Sequence, residues 1–112
     1  VAKGTLNETT GKVENTKVIF RATPAMDATL HYGSRLVFDK DGHLFVSTGE
    51  RSIVEGRVQA QDLKSGLGKI FKMTKDGEAA PGNPFIGKEG VLPQIYAYGI
   101  RNAQVHNFAW NI

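Results

Sequence analysis

Two four-residue stretches, DKDG at 39–42 and TKDG at 74–77, each close a short run of apolar and β-branched residues. An Asp-Gly pair favours tight reversal, because Asp bonds to nearby backbone and Gly accepts positive φ without steric cost. A chain punctuated in this way has little room for long helices. It carries 13 glycines, and none of its dozen-residue segments sustains an apolar i, i+3, i+4 pattern. Strand signals are clearer. The stretches 17–21 (KVIFR), 35–38 (RLVF), 43–47 (HLFVS), 69–73 (KIFKM) and 94–98 (QIYAY) are short, rich in β-branched or aromatic residues, and bounded by turn residues. An all-β chain of antiparallel hairpins is expected, with Asp41-Gly42 at one hairpin tip. Residues 53–68 read as a long surface loop with a single helical turn over 60–63. Residues 77–93, which hold three of the four prolines, read as a second excursion. The N-terminal stretch VAKGTLNETTGK reads as a strand end followed by a turn, as though cut from a longer chain, and not as a signal peptide.

Hydrophobic residues make up 40% of the 112 and charged residues 22%, the balance of one folded domain. The net charge is +3, but the 14 basic residues are scattered singly and no aromatic ladder interleaves them, so a nucleic-acid groove is not expected. There is no cysteine, which excludes disulfides and thiolate metal sites. No apolar run approaches the ~20 residues of a membrane span. A looser repeat is visible. KVIFRATPAMDATLHYGSRLVF and QIYAYGIRNAQVHNFAW both run from an aromatic-rich strand through a polar loop into another apolar run. Such a unit fits adjoining propeller blades, and equally a sandwich with hairpins of similar length.

A lone histidine is commonly structural or merely exposed. His31 gains interest from the hairpin that follows it. If 35–38 pairs with 43–47 across the Asp-Gly turn, the far ends of the two strands meet, and His31 and Glu50 share one edge of the sheet. A carboxylate beside an imidazole fixes its tautomer and raises its basicity, as a general base requires. His43, at the turn end, is expected to face solvent. His31, His43 and His106 show no ligand spacing such as HxxxH, and no metal site is expected. Arg101 offers a fork of donors suited to carboxylates or quinone oxygens, and Asn102 can both donate and accept; a loop arginine in a surface ion pair is the plainer reading. In the repeat, their loop corresponds to the loop of His31, so both should emerge at the same end.

Taken together, HYGSRLVFDKDGHLFVSTGE, AQDLKSGLGKIFKMTKDG, NPF and IYAYGIRN resemble the soluble pyrroloquinoline-quinone (PQQ) dependent sugar dehydrogenases, the glucose/sorbosone dehydrogenase family, with aldose sugar dehydrogenase the closest flavour. The resemblance runs from about residue 17 to residue 104. It implies an all-β fold, the antiparallel four-stranded blades of a six-bladed β-propeller, with residues 1–112 forming part of that single domain, about two blades of it. It implies PQQ as cofactor, an aldose as substrate, and a periplasmic or secreted location. By the same resemblance His31 is the general base at the sugar's anomeric hydroxyl, and Glu50 is the acid that orients it. His31, Arg101 and Asn102 contact the quinone, and a calcium ion is expected whose ligands lie elsewhere. The family run continues Arg-Asn-Pro-Gln-Gly, where this chain has Ala103 for the proline and Val105 for the glycine. Two function classes follow: part of a quinoprotein sugar dehydrogenase, completed by the remainder of a propeller or by further copies of the chain, or a non-catalytic propeller-derived binding or assembly module.

Overall fold

A computed structural model describes residues 1–104. Strands β1 (Ala2–Asn7) and β2 (Lys12–Val18) form a two-stranded antiparallel sheet. Strands β3 (Gly33–Phe38), β4 (Leu44–Thr48), β5 (Lys69–Met73) and β6 (Ile95–Tyr98) form a four-stranded antiparallel sheet in sequential order. Between β4 and β5 lies one helical turn, α1 (Val54–Arg57), continuing as a 3-10 turn over Val58–Gln61.

The larger sheet follows the expected strands closely. Phe38 pairs with Leu44 across the Asp-Gly turn, where Gly42 takes φ 81° and Asp39 Oδ1 accepts the N–H groups of Asp41 and His43 at 2.9 and 2.8 Å. β4 is buried along its whole length, as a central strand must be. One face of β4 and β5 supplies Leu44, Val46, Phe71 and Met73, which pack with Ile95 into the core. On the other face Phe45 meets Tyr96 edge to face, ring centroids 5.2 Å apart.

The first expected strand needs correction. Pairing ends at Val18, and residues 19–21 leave the ladder. Ile19 and Phe20 turn onto the core, with the Phe20 ring 4.6 Å from that of Phe71 and both backbone N–H groups bonded to the Val1 carbonyl. Hydrophobic burial outweighs strand continuation here. β1 and the bulk of β2 give no alternating signal because nearly every residue in them is exposed. Their connection is held by Asn7, whose side-chain oxygen accepts from Thr9 and Thr10. The helical turn expected at 60–63 is found earlier, at 54–61. The apolar run expected after Asn102, and His106 with it, lie outside the described residues. Among the described residues, no helix is long and apolar enough to cross a membrane.

The 51–68 segment is tied down by a buried lysine at the first position of β5. Lys69 is fully buried, and its Nζ donates to the carbonyls of Gln59 (2.8 Å) and Leu67 (2.6 Å). Thr48 closes the same seam, donating to the Gly66 carbonyl at 2.7 Å and accepting from Lys69 N–H at 3.1 Å. Burial pulls the Lys69 ammonium down to about 8 from its ordinary 10.5, with Asp62 opposing. Below about 8 the amine is charged in both states. Between 8 and 10.5 the unfolded chain holds a proton that the folded chain has released, so stability rises with pH across that window. The stability of the wild type relative to Lys69→Met should therefore increase from pH 8 to pH 10.5 in denaturant titrations. A constant difference would show that this amine does not titrate there.

Candidate active site

β3 begins, β4 ends, β5 begins and β6 ends at one end of the sheet, and the loops of interest gather there. Gly33 pairs with Thr48, so His31 and Glu50, each two residues beyond, come to the same edge. The backbones meet at Gly49. Its N–H donates to the Tyr32 carbonyl at 3.1 Å, and a Cβ at this position would lie 1.8 Å from the His31 carbonyl oxygen. Only glycine permits that approach. Arg51 reinforces it, bonding the His31 carbonyl through Nη1 at 3.1 Å and the Gly49 carbonyl at 2.8 Å, with its guanidinium over the Tyr32 ring.

The loop after β6 crosses the same junction. Glu50 N–H donates to the Arg101 carbonyl at 3.0 Å, Gly33 N–H to Asn102 Oδ1 at 3.1 Å, and Ser47 Oγ to the Ala103 carbonyl at 2.6 Å. The two loops expected at one end are in direct contact.

Glu50 is 2% exposed, and its Oε1 accepts from His31 Nδ1 and from Ser52 N–H at 2.9 Å. Burial would raise its pKa. The hydrogen bonds from His31 and Ser52, with the positive charges of His31 and Arg57, outweigh burial and hold it below the ordinary carboxylate value. An ionised carboxylate only accepts, so Nδ1 is the ring nitrogen that carries hydrogen. With hydrogen held on Nδ1, Nε2 is the ring nitrogen left to give up and take a proton. The His31 side chain is 23% exposed, whereas Glu50 beneath it is almost wholly buried.

Arg101 is exposed, and its neighbourhood is an open cleft of about 330 Å³ shared with Glu50, Arg57, Gln61, Gly99 and Ile100. With Oδ1 committed to Gly33, the Asn102 amide retains its NH₂ donors. His43 departs from expectation. Its side chain is only 25% exposed and turns inward, Nδ1 lying 3.4 Å from Asp39 Oδ2. Asp39, Asp41 and His43 place ligand-type atoms within 4.8 Å of one another at the hairpin tip. The turn itself accounts for Asp39 Oδ1, and the Lys72 ammonium stands 3.7 Å from Oδ2. Ser52 and Arg57, both at Glu50, escaped the sequence reading. They become visible only once a helical turn is placed at 54–57, which returns the chain toward Glu50.

The family model for glucose/sorbosone dehydrogenases matches residues 1–111. The chain is 40% identical over 104 residues to the aldose sugar dehydrogenase YliI of Escherichia coli, an alignment covering 93% of this chain and 27% of that protein. Among solved structures it is similar to the apo-form of the soluble aldose sugar dehydrogenase from Escherichia coli, with TM-score 0.81 and 40% identity over 90% of this chain and 28% of the other. It is also similar to the PQQ-bound form of aldose sugar dehydrogenase from Streptomyces coelicolor, with TM-score 0.73 and 36% identity over 90% of this chain and 28% of the other. The four-stranded sheet is thus an antiparallel propeller blade. The chain spans 27% of the length of that Escherichia coli relative.

The junction at Gly49 is open to a direct test. Gly49→Ala should destabilise by about 1–3 kcal/mol through overpacking and displace His31 from Glu50. Gly82→Ala meets no atom within 4 Å and carries only the backbone strain of its φ of 84°, which Gly49 does not have. Thermal melts and the His31 imidazole NMR signals would separate the two variants. Wild-type imidazole signals in Gly49→Ala would show that the close approach does not place the histidine.

Proposed function

Because the chain belongs to the glucose/sorbosone dehydrogenase family, we propose that it forms part of a quinoprotein sugar dehydrogenase in which His31 takes the proton from the anomeric hydroxyl of an aldose. The observation that carries this reading is the hydrogen bond from His31 Nδ1 to the buried, ionised Glu50. It leaves Nε2 bare, and it places a negative charge where a positive one would form as the proton arrives. Glu50 does not take the proton. It holds the ring in one tautomer and stabilises the imidazolium.

The residues present fit PQQ in kind. Arg101 supplies an exposed guanidinium and Asn102 an NH₂ group, donors suited to quinone oxygens, on the loop that accepts from the backbone of Glu50 and Gly33. When bound, the quinone supplies the acceptor for the hydride that leaves the anomeric carbon. The similarity to a PQQ-bound sugar dehydrogenase supports the same assignment. We read β3–β6 as one blade and β1–β2 as part of its neighbour, within a single propeller domain of periplasmic or secreted location. Leu36, Phe38, Tyr96 and Tyr98, each roughly half exposed, are the apolar positions that further blades would cover.

In an assembly with its remaining blades, His31→Ala should lower kcat by about 10²–10⁴-fold with KM little changed, since the lost interaction develops in the transition state. A raised KM at unchanged kcat would reassign His31 to binding. The chain alone should bind the quinone weakly. One charge-assisted contact contributes about 1.5–3 kcal/mol, against roughly 8 kcal/mol for micromolar affinity, and the three carboxylates of the quinone call for cations converging from other directions. Calorimetric titration of the monomeric chain, with and without calcium, checks this. Submicromolar binding would show a complete site within these residues and overturn the shared-site reading.

A further inference from the structure

The Glu50 carboxylate is served unevenly. Oε1 receives both hydrogen bonds, from His31 and from Ser52, whereas Oε2 is buried and has none. An unpaired buried carboxylate oxygen is destabilising unless a compensating charge stands close by. The group that stands there is the guanidinium of Arg57, with Nε 3.6 Å from Oε2. This separation is too long for a good hydrogen bond but close enough for strong electrostatic attraction at a poorly hydrated oxygen.

Arg57 reaches this position through the local fold. It is the last residue of α1, one residue after Gly56, where a Cβ would lie 2.0 Å from the Glu50 carbonyl oxygen. The missing side chain lets α1 settle directly on the Glu50 backbone. Arg57 Nη2 also reaches the Ser52 carbonyl at 3.4 Å, bracing the turn that delivers the Ser52 amide to Oε1. The other charged groups nearby are engaged differently. Arg51 bonds the carbonyls of His31 and Gly49, Lys69 bonds those of Gln59 and Leu67, and Arg101 touches Glu50 through its backbone carbonyl.

We infer that Arg57 is a positioning residue for the proton transfer: set against Oε2, it holds the Glu50 carboxylate turned so that Oε1 stays on His31 Nδ1. The inference rests on the reading of His31 as base. Arg57 touches neither sugar nor quinone in this scheme. It acts through Glu50 on which nitrogen of His31 is bare.

Nitrogen-15 NMR of the His31 imidazole in the full 112-residue chain tests this without cofactor or sugar. The wild type should show a single neutral tautomer, hydrogen on Nδ1. In Arg57→Gln the two tautomers should mix, because the carboxylate has lost the cation set against Oε2. Arg57→Lys should restore the single tautomer. Lys40→Gln, the same charge change at the exposed tip of the β3–β4 hairpin, the opposite end of the sheet, should leave the wild-type spectrum. Amide dispersion in each variant reports that the sheet is intact. An unchanged imidazole spectrum in Arg57→Gln, or failure of Lys to rescue, overturns the inference. Loss of the base role is read separately, from turnover of His31→Ala in the assembled enzyme, so either idea can fail while the other stands.

Discussion

A carboxylate that is ionised and almost wholly out of water dictates the arrangement of everything around it. Glu50 could not remain charged at 2% exposure without donors and cations drawn tightly to it. Those groups come from separate parts of the chain: the imidazole before β3, an amide in the loop after β4, and a guanidinium at the end of α1. The loop after β6 joins them by accepting the Glu50 amide proton. Three stretches of chain, before β3, between β4 and β5 and after β6, are thereby committed to one geometry, and the antiparallel sheet beneath sets where each of them emerges.

The density of that junction depends on missing side chains. Gly49 lets the His31 backbone lie against it, and Gly56 lets α1 rest on the Glu50 carbonyl. Any larger residue would push apart the groups whose distances decide the state of the imidazole. On the β5 side the segment is anchored by Lys69, whose ammonium is bonded wholly by backbone carbonyls. The excursion between β4 and β5, irregular in sequence, is thus held at both ends by buried charged groups.

The four-stranded sheet was legible because its strands alternate about a buried face and its turns carry Asp-Gly. β5 was readable to the residue, since Lys69, Phe71 and Met73 are buried while Ile70 and Lys72 are only partly so. The first hairpin was legible only as a strand end and a turn, because strands with no buried face leave no pattern. Residues 19–21 look like strand in composition, yet the pull of Phe71 on Phe20 decides their course. At the site, the meeting of His31 with Glu50 follows from hairpin geometry alone. Arg57 does not, because its place depends on a turn of helix too short to imprint a period. The inward turn of His43 was also hidden, as it depends on which side of the Asp-Gly turn Asp39 occupies.

Backbone strain is unevenly distributed. His31, Ser34, Arg51 and Ser52 all adopt positive φ, between 56° and 72°, a region that side chains other than glycine usually avoid. Each such residue costs of order 1–3 kcal/mol and persists only while its surroundings hold it. A fifth such residue, Asn15, lies in β2; these four cluster at the end of the four-stranded sheet that bears His31 and Glu50, and β4, β5 and β6 hold none. Heat therefore does not act on the molecule as a single unit. The strained corner is poised to open first by local unfolding, while Phe71, Met73 and Ile95 still hold the sheet together. In such a protein the temperature at which His31 parts from Glu50 lies below the temperature at which the fold melts, and the interval between them measures how much of that contact is tension held by the sheet.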